Sequence, residues 1–252
     1  MSAVLETRGL SVSYGGVHAL KEADLTVGAG ELVGLIGPNG AGKTTFIDAV
    51  GGFTSSTGSV LIGDEDVSAL APHERARRGL ARTWQAADLF DDLTVRENLT
   101  VAADRPTVRR TAREMLTGRA DPLDAVDRTL ALLELDDLAD RNADELTQGQ
   151  RKLVGVARAL VAEPRVLCLD EPAAGLDTTE SEELGRRLRA VVDQGTALLL
   201  VDHDMGLVLS VCDRVVVLNF GAVIAQGAPS DVRSDTQVVE AYLGRAAQEV
   251  TG

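Results

Sequence analysis

The stretch that decides the fold runs from residue 32 to residue 50 and reads LVGLIGPNGAGKTTFIDAV. The run at 32–36 predicts a buried strand, the pattern from 46 to 50 predicts a helix, and a glycine-rich loop lies between them. A phosphate-binding loop requires this order of strand, loop and helix. The glycines let successive backbone N–H groups turn inward, and the helix N-terminus adds a favourable dipole. The segment therefore predicts a nucleoside triphosphate site.

The loop itself supplies the residues expected to hold ATP. Lys43 is expected to neutralise β- and γ-phosphate oxygens, and the Thr44 hydroxyl is a candidate ligand for Mg2+. The predicted ATP-binding residues of the loop are Gly37, Pro38, Asn39, Gly40, Ala41, Gly42, Lys43, Thr44 and Thr45.

A second motif, VLCLDEP at 166–172, ends a buried apolar run with two acidic residues. Because α/β sheets bind ligands at the carboxyl edge of their strands, Asp170 and Glu171 are expected to face the nucleotide. Asp170 is a candidate for the Mg2+ shell, and Glu171 for polarising the water that attacks γ-phosphate. An acidic pair that only caps a helix is the alternative. The phosphate-binding loop favours the catalytic interpretation.

The rest of the chain alternates strand and helix signals. Apolar runs at 60–62, 197–201 and 215–218 predict further buried strands, and the spacing over 178–195 predicts a helix that stops at Gly195. This alternation predicts an α/β fold with a mostly parallel sheet. The first 30 residues alternate apolar and polar positions, which predicts an N-terminal antiparallel sheet. One domain over 1–252 is expected, with a helical insert at about 94–162 and one amphipathic helix from about 230 onward.

Composition excludes several classes of protein. Of the 252 residues 44% are hydrophobic and 25% charged, as in globular domains, and the net charge of −14 disfavours nucleic acid as a partner. Two cysteines in apolar stretches argue against a disulfide framework or a metal cluster. No window approaches the roughly 20 apolar residues that a membrane span needs, and the first ten residues lack a signal-peptide pattern. A cytoplasmic protein is expected.

The order of these motifs resembles the ATP-binding cassette (ABC) family of ATPases, and the resemblance runs from Tyr14 to Leu243. Further matches are Gln85 in TWQAADLF as the Q-loop, LTQGQ at 146–150 as the signature, AGLD at 174–177 as the D-loop with Asp177, and His203 in VDHDM as the switch histidine. The resemblance implies an α/β P-loop NTPase core with an antiparallel β subdomain and an α-helical subdomain insert.

The family pattern implies roles for these residues. Tyr14 would stack on adenine, Gln85 would sense Mg2+ and the attacking water, and His203 would contact γ-phosphate. From the residues alone, Tyr14 could be a turn aromatic, Gln85 a surface residue and His203 structural. The signature of one subunit would meet the phosphate-binding loop of another, through Leu146, Thr147, Gln148, Gly149 and Gln150. Thr147 and Gln148 depart from the usual LSGGQ.

Within the family, both ends of the chain look like ATP-binding subunits of branched-chain amino acid importers. Related motors for urea or short amides and for lipopolysaccharide export share much of this pattern, and a soluble ABC ATPase without a permease or an inert ATP-binding module are further alternatives. The resemblance implies ATP and Mg2+ as cofactors. It also implies a second ATPase subunit, transmembrane permease subunits, an indirect substrate-binding protein, and a location at the inner membrane face. Leu89, Phe90 and Leu93 are candidates for a permease-docking groove, and packing of the helical insert against the sheet is the alternative for each of them.

Overall fold

The computed structural model describes residues 3–83, 89–103 and 122–249 of the chain. The strands are β1 (Ala3–Tyr14), β2 (Val17–Gly28), β3 (Leu32–Ile36), β4 (Thr57–Ile62), β5 (Glu65–Asp66), β6 (Leu80–Arg82), β7 (Val166–Asp170), β8 (Ala197–Val201), β9 (Arg214–Asn219) and β10 (Ala222–Gly227). The helices are α1 (Lys43–Gly51), α2 (Pro72–Arg77), α3 (Val95–Ala103), α4 (Pro122–Leu132), α5 (Gln148–Leu160), α6 (Thr178–Asp193), α7 (Met205–Val211), α8 (Pro229–Ser234) and α9 (Thr236–Glu249).

The first sheet is antiparallel and has the strand order β2-β1-β4-β5. Alternating residues of β1, such as Leu10 and Val12, are buried while their neighbours are more exposed, as the sequence alternation predicted. The apolar run at 60–62, predicted from the sequence together with the parallel strands, instead belongs to this sheet as part of β4. An apolar run of three residues predicts a strand, but it does not indicate which strand will be its neighbour in a sheet.

The second sheet has the order β10-β9-β3-β8-β7-β6, and all of its neighbours are parallel except β10 and β9. Every residue of β3, β7 and β8 is buried, because both faces of a parallel sheet are covered. The sheet confirms the α/β fold with mostly parallel strands. The loops after β3, β7 and β8 leave the same edge of adjacent strands, which is where ligands bind in open α/β sheets.

Helices α3, α4 and α5 lie in the part of the chain where the sequence predicts a helical insert. Their buried residues, including Leu99, Leu130 and Val154, pack in one apolar cluster with residues of α6 and the parallel sheet. Helix α6 ends at Asp193, just before Gly195 at φ +92°, in agreement with the predicted stop.

The C-terminal segment differs from the prediction of one helix starting near residue 230. Helix α8 ends at Ser234 and α9 begins at Thr236, because Asp235 is extended, with φ −70° and ψ 124°. The Asp235 Oδ1 accepts hydrogen bonds from the backbone N–H groups of Gln237 and Val238 at 2.7 and 3.3 Å. This side chain caps the start of the second helix, so the break has a local cause.

Candidate functional site

The phosphate-binding loop connects β3 to α1. A Cβ at Gly37 would collide with the Leu218 carbonyl oxygen, and a Cβ at Gly42 would lie 2.6 Å from the Ala19 carbonyl oxygen. Both glycines also have positive φ, 153° and 108°, which side chains rarely tolerate. The Lys43 Nζ donates to the carbonyl oxygens of Gly37 at 2.7 Å and Pro38 at 3.3 Å. The lysine therefore lies across the loop that its sequence motif assigns to phosphate.

A cavity of about 570 Å³ opens on this loop, a volume typical of small-molecule sites. One wall is the loop itself and the start of α1, and Glu171 of the acidic pair reaches the same cavity. The N-terminal hairpin and the turn between β9 and β10 complete it. The lining residues are Val17, His18, Ala19, Lys21, Asn39, Gly40, Gly42, Lys43, Thr44, Thr45, Glu171, Phe220 and Gly221.

Asp170 ends β7 as a buried carboxylate, 4% exposed. Its Oδ2 accepts a hydrogen bond from Arg82 Nη2 at 2.9 Å, and Arg82 also pairs with Asp48 of α1. Burial raises the pKa of the Asp170 carboxyl, Arg82 opposes that rise, and the negative charges of Glu171 and Asp48 add to it. The acid that the sequence assigns to the metal is thus held by a buried arginine.

The oxygen donors near the loop fit a magnesium ion. The Asp170 Oδ1 is buried and accepts no hydrogen bond within the described part of the chain, and Thr44 lines the cavity. No cluster of three or more His, Cys, Asp or Glu among the described residues could hold a metal by itself. Mg2+ bound through one or two protein oxygens and nucleotide phosphates is consistent with both facts, since Mg2+ keeps few protein ligands in such sites.

Glu171 and His203 lie side by side at the strand ends. The His203 Nδ1 is 3.9 Å from the Glu171 Oε1, and both side chains are partly exposed. The Glu171 backbone has φ +47°, and its N–H donates to the Val201 carbonyl oxygen at 2.7 Å. Its own carbonyl oxygen accepts from Lys152 Nζ of α5 at 3.3 Å. Strained backbone at this position is typical of functional sites.

Asp202 organises the loop that carries His203, although the sequence analysis gave it no role. It is fully buried, and its Oδ1 accepts from the backbone N–H groups of His203 and Asp204 at 2.8 and 3.0 Å. Its Oδ2 accepts from the Ala173 N–H at 3.0 Å, which joins this loop to the one after β7. An acidic residue directly after a buried strand was the available signal. Arg82 gave no such signal, because its partners are far away in the sequence.

The signature segment starts helix α5. Thr147 Oγ1 accepts from the Gln150 N–H at 3.3 Å, and Gln150 Oε1 accepts from the Thr147 N–H at 3.0 Å, which is a capping box. Gln148 packs over Gly175 of the D-loop, and Asp177 of that loop caps α6. Among the residues that the structure describes, no signature residue lines the nucleotide cavity of the same chain.

The predicted adenine-stacking residue Tyr14 makes its described contact away from this cavity. The Tyr14 hydroxyl is 2.9 Å from the Thr54 Oγ1, and within the described residues Tyr14 is not part of the cavity wall. Gln85 lies outside the described residues. Their roles stay predictions.

Two family models match this chain. The one described as ABC transporter covers residues 20–174, more than half of the chain. The one described as Branched-chain amino acid ATP-binding cassette transporter covers residues 222–248.

Full-length relatives agree with the family models. The chain is 38% identical to the high-affinity branched-chain amino acid transport ATP-binding protein BraF of Pseudomonas aeruginosa, over 96% of this chain and 98% of that one. LivG of Escherichia coli K12, of the same description, has the same identity and the same shares. The lipopolysaccharide export system ATP-binding protein LptB of E. coli K12 is 36% identical over the same shares.

Solved structures have the same fold. An ATP-binding cassette of an ABC transporter in its ADP conformation has a TM-score of 0.86 and 30% identity, covering 97% of this chain and all of that one. CbiO1 from Clostridium perfringens, part of the ABC transporter complex cbiONQ, has a TM-score of 0.80 and 27% identity over all of both chains.

The parallel sheet, the phosphate-binding loop and the acidic pair beside it define a P-loop nucleoside triphosphatase. Within this class, the family model and the solved structures with the same fold are those of ABC transporters. The chain belongs to the ABC transporter family, as an ATP-binding subunit that hydrolyses ATP. In the described ranges of the chain, no helix is long and apolar enough to cross a membrane.

Proposed function

We propose that this chain is the ATPase subunit of an importer whose cargo is branched-chain, hydrophobic amino acids. The observation that carries the proposal is the C-terminal segment 222–248, which matches the branched-chain family model. The similarity to BraF over 96% of the chain supports the same cargo. The subunit would supply motion rather than cargo specificity, since its cavity is built for a nucleotide.

In this proposal the loop from Gly37 to Thr45 binds the triphosphate of ATP. Its inward backbone N–H groups and Lys43 would contact the phosphate oxygens. Thr44 and Asp170 are the oxygen donors that would hold Mg2+, with Gln85 as a further predicted ligand. When bound, Mg2+ would neutralise charge that develops on the β- and γ-phosphate oxygens.

Glu171 is the residue that would polarise the attacking water. Glu171 lines the cavity, and its left-handed backbone and the hydrogen bond from its N–H to the Val201 carbonyl oxygen fix where the side chain starts. His203, 3.9 Å away, would contact the γ-phosphate and keep the water and carboxylate aligned. Asp202 would act through His203, by holding the backbone of that loop.

A complete site would need a second ATPase subunit. The signature residues Leu146 to Gln150 start a helix of 13 residues, whose N-terminal N–H groups favour an anion. Because this segment lies outside the cavity of its own chain, it would contact ATP bound by the partner. Asp177, in the D-loop packed beside it, would lie in the same interface.

A second cavity, of about 470 Å³, supports a permease partner. It lies between α2, β6, α3 and α5, and its wall includes Phe53, Arg82 and Arg158. The Arg82 guanidinium carbon lies 5.7 Å from the centre of the Phe53 ring, and that of Arg158 lies 5.2 Å from the centre of the half-exposed Phe90 ring. The half-exposed rings of Phe53 and Phe90 suit a permease segment with apolar side chains. Docking there would hold the subunit at the inner membrane face, and the extracytoplasmic binding protein would act indirectly.

Uptake of labelled leucine, isoleucine and valine tests the function in cells that lack this chain. We expect wild type to restore uptake, and Glu171→Gln to fail because the amide cannot polarise the water. The matched measurement is ATP binding to the purified Glu171→Gln protein, which we expect to equal that of wild type. Urea uptake serves as the parallel cargo. Unchanged uptake of the three amino acids in the deleted cells would contradict the cargo assignment.

Lipopolysaccharide export is the second candidate, because LptB is 36% identical over 96% of this chain. The same deleted cells distinguish it from import. If lipopolysaccharide fails to reach the cell surface while amino acid uptake is normal, the motor belongs to an exporter.

A further inference from the structure

Arg82 is a buried arginine at the end of β6 to which the sequence motifs give no role. Its side chain is only 8% exposed, and its guanidinium is shared between two carboxylates. The Arg82 Nη2 donates to the Asp170 Oδ2 at 2.9 Å, and Nη1 donates to the Asp48 Oδ1. The N–H groups of a guanidinium form a rigid planar fork, so one arginine can hold two acids in one arrangement. The position of the Asp170 carboxylate therefore depends on Arg82.

The two carboxylates belong to the two segments that carry the candidate Mg2+ donors. Asp170 ends β7, and Asp48 lies on α1, four residues after Thr44. Because residues four apart lie on one face of a helix, Thr44 and Asp48 are on the same side of α1. Arg82 thus ties the donor-bearing face of α1 to the end of β7. This tie limits how far the segments of Thr44 and Asp170 can move apart.

The end of β6 holds Asp170 by its backbone as well as by its side chain. The Asp170 N–H donates to the Thr83 Oγ1 at 3.3 Å, and the Thr83 N–H donates to the Cys168 carbonyl oxygen at 2.9 Å. Arg82 engages the Asp170 Oδ2, while the buried Oδ1 accepts no hydrogen bond within the residues that the structure describes. Two consecutive residues of β6 and the segment after it therefore orient this aspartate so that Oδ1 is the oxygen left for a cation.

We propose that Arg82 is a positioning residue for the Mg2+ that accompanies ATP. It would act through Asp170, by holding Oδ2 so that Oδ1 is presented to the metal. It would also act through Asp48, by fixing α1, which carries Thr44, relative to β7. The inference rests on the proposed binding of ATP with Mg2+ at this cavity, and it is independent of the transported cargo. Residues that orient metal ligands in this way typically contribute about 10–100-fold to metal affinity.

Neutralisation of buried negative charge is the simpler role for Arg82, and a lysine at this position separates the two roles. Lysine keeps the positive charge, but its ammonium is a compact point charge on a flexible stem. It cannot hold two carboxylates in the fixed arrangement of a planar fork. Arg82→Lys therefore retains the charge and removes the positioning.

ATP binding to the purified full chain, measured with excess Mg2+ and separately with EDTA, tests this proposal. Every variant carries Glu171→Gln as its parent background, so that bound ATP is not hydrolysed. With Mg2+, we expect Arg82→Lys to bind ATP about tenfold more weakly than the parent. In EDTA the metal is absent, so the affinity of Arg82→Lys should stay within about twofold of the parent. Retained binding in EDTA also shows that the variant is folded around the phosphate-binding loop.

A second variant and a control accompany Arg82→Lys. Asp48→Asn preserves the pair of Arg82 with Asp170 and removes only the charged tie to α1, so we expect a smaller loss of ATP affinity, again confined to Mg2+. Arg78→Lys is the matched control, because Arg78 forms a partly exposed ion pair with Glu65. It should equal the parent under both conditions.

Three results for Arg82→Lys would overturn the proposal. Equal weakening with Mg2+ and with EDTA would mean that Arg82 supports the fold of the loop rather than the metal. Unchanged affinity under both conditions would mean that positive charge alone is sufficient. Tighter binding with Mg2+ would mean that the guanidinium competes with the metal for Asp170.

The parent protein separates this inference from the proposed function. A parent that binds no ATP would contradict the proposed function itself. A parent whose ATP affinity is equal with Mg2+ and with EDTA would overturn the inference about Arg82 and leave ATP binding in place. The assay needs no transporter, so an error in the cargo assignment does not affect it.

Discussion

At the scale of one residue, Asp170 places a carboxylate in a buried position, where folding disfavours its negative charge. The carboxylate is buried, and Arg82 pairs with only one of its oxygens, while Oδ1 accepts no hydrogen bond among the described residues. Burial, together with the charges of Glu171 and Asp48, raises its pKa more than Arg82 lowers it. A buried acid that folding alone would prefer neutral is well suited to a cation that arrives with the nucleotide.

The raised pKa of Asp170 predicts that the free energy of unfolding depends on pH, and Asp170→Asn should remove this contribution. The folded protein binds the Asp170 proton more tightly than the unfolded chain, so this group stabilises the fold below its unfolded pKa. That stability is lost as pH rises through the folded pKa. We therefore expect the free energy of unfolding of wild type minus that of Asp170→Asn to fall as the pH rises above the ordinary pKa of an aspartate, about 4.

Urea unfolding at each pH measures that difference. Asp64→Asn, on the exposed turn before β5, is the matched carboxyl-to-amide control. A difference that grows with pH would mean that the ion pair with Arg82 outweighs burial.

At the scale of the element, the start of α5 shows how a signature that differs from LSGGQ at two positions still forms a capped helix N-terminus. Thr147 retains the hydroxyl that an N-cap needs, and Gln150 returns the bond from the third helical position. Gln148 takes no part in this capping box and packs against Gly175 instead. Thr147 and Gln150 therefore cap the helix N-terminus, and this capping does not depend on Gln148, the third residue of the motif.

The capping box predicts distinct stabilities for two substitutions at one site. Thr147→Ala leaves the Gln150 N–H without its acceptor and should lower the free energy of unfolding by about 1 kcal/mol. Thr147→Ser keeps the hydroxyl and should be close to wild type. Urea denaturation of both proteins measures the effect. Equal stability of the alanine and serine variants would show that the hydroxyl does not cap the helix in solution.

At the scale of the whole molecule, the nucleotide cavity and the signature segment occupy separate surfaces of one chain. In the proposed function, another subunit would complete this site by supplying its signature segment. The chain carries a net charge of −14, so two copies repel each other at long range. In the proposed dimer, ATP bound between the two copies would have to overcome that repulsion.

Association is expected to depend on ATP and on salt. For Glu171→Gln with ATP, we expect light scattering after gel filtration to give twice the 26.5 kDa of the chain, and more dimer at higher ionic strength. Lys43→Ala in the same background removes the phosphate contact and should remain monomeric. A monomer of Glu171→Gln at saturating ATP would contradict self-association and require a different second subunit.

The sequence by itself determined the features that depend on neighbouring residues. The phosphate-binding loop follows from its glycines, Asp170 and Glu171 follow from the end of a buried strand, and the stop of α6 follows from Gly195. Their conformations are local, because φ preferences and apolar periodicity act over a few residues. Even Asp235, which divides the C-terminal helices, had a readable capping signal.

Only the tertiary structure decided which distant residues meet. Arg82 reaches Asp170 across 88 positions because β6 lies beside β7, and Asp202 bonds to Ala173 because β8 lies beside β7. Phe220 enters the cavity wall because the β9–β10 turn bonds to the phosphate-binding loop. Strand order and register result from packing of the whole core, and a pattern within one segment carries no information about its neighbour in the sheet.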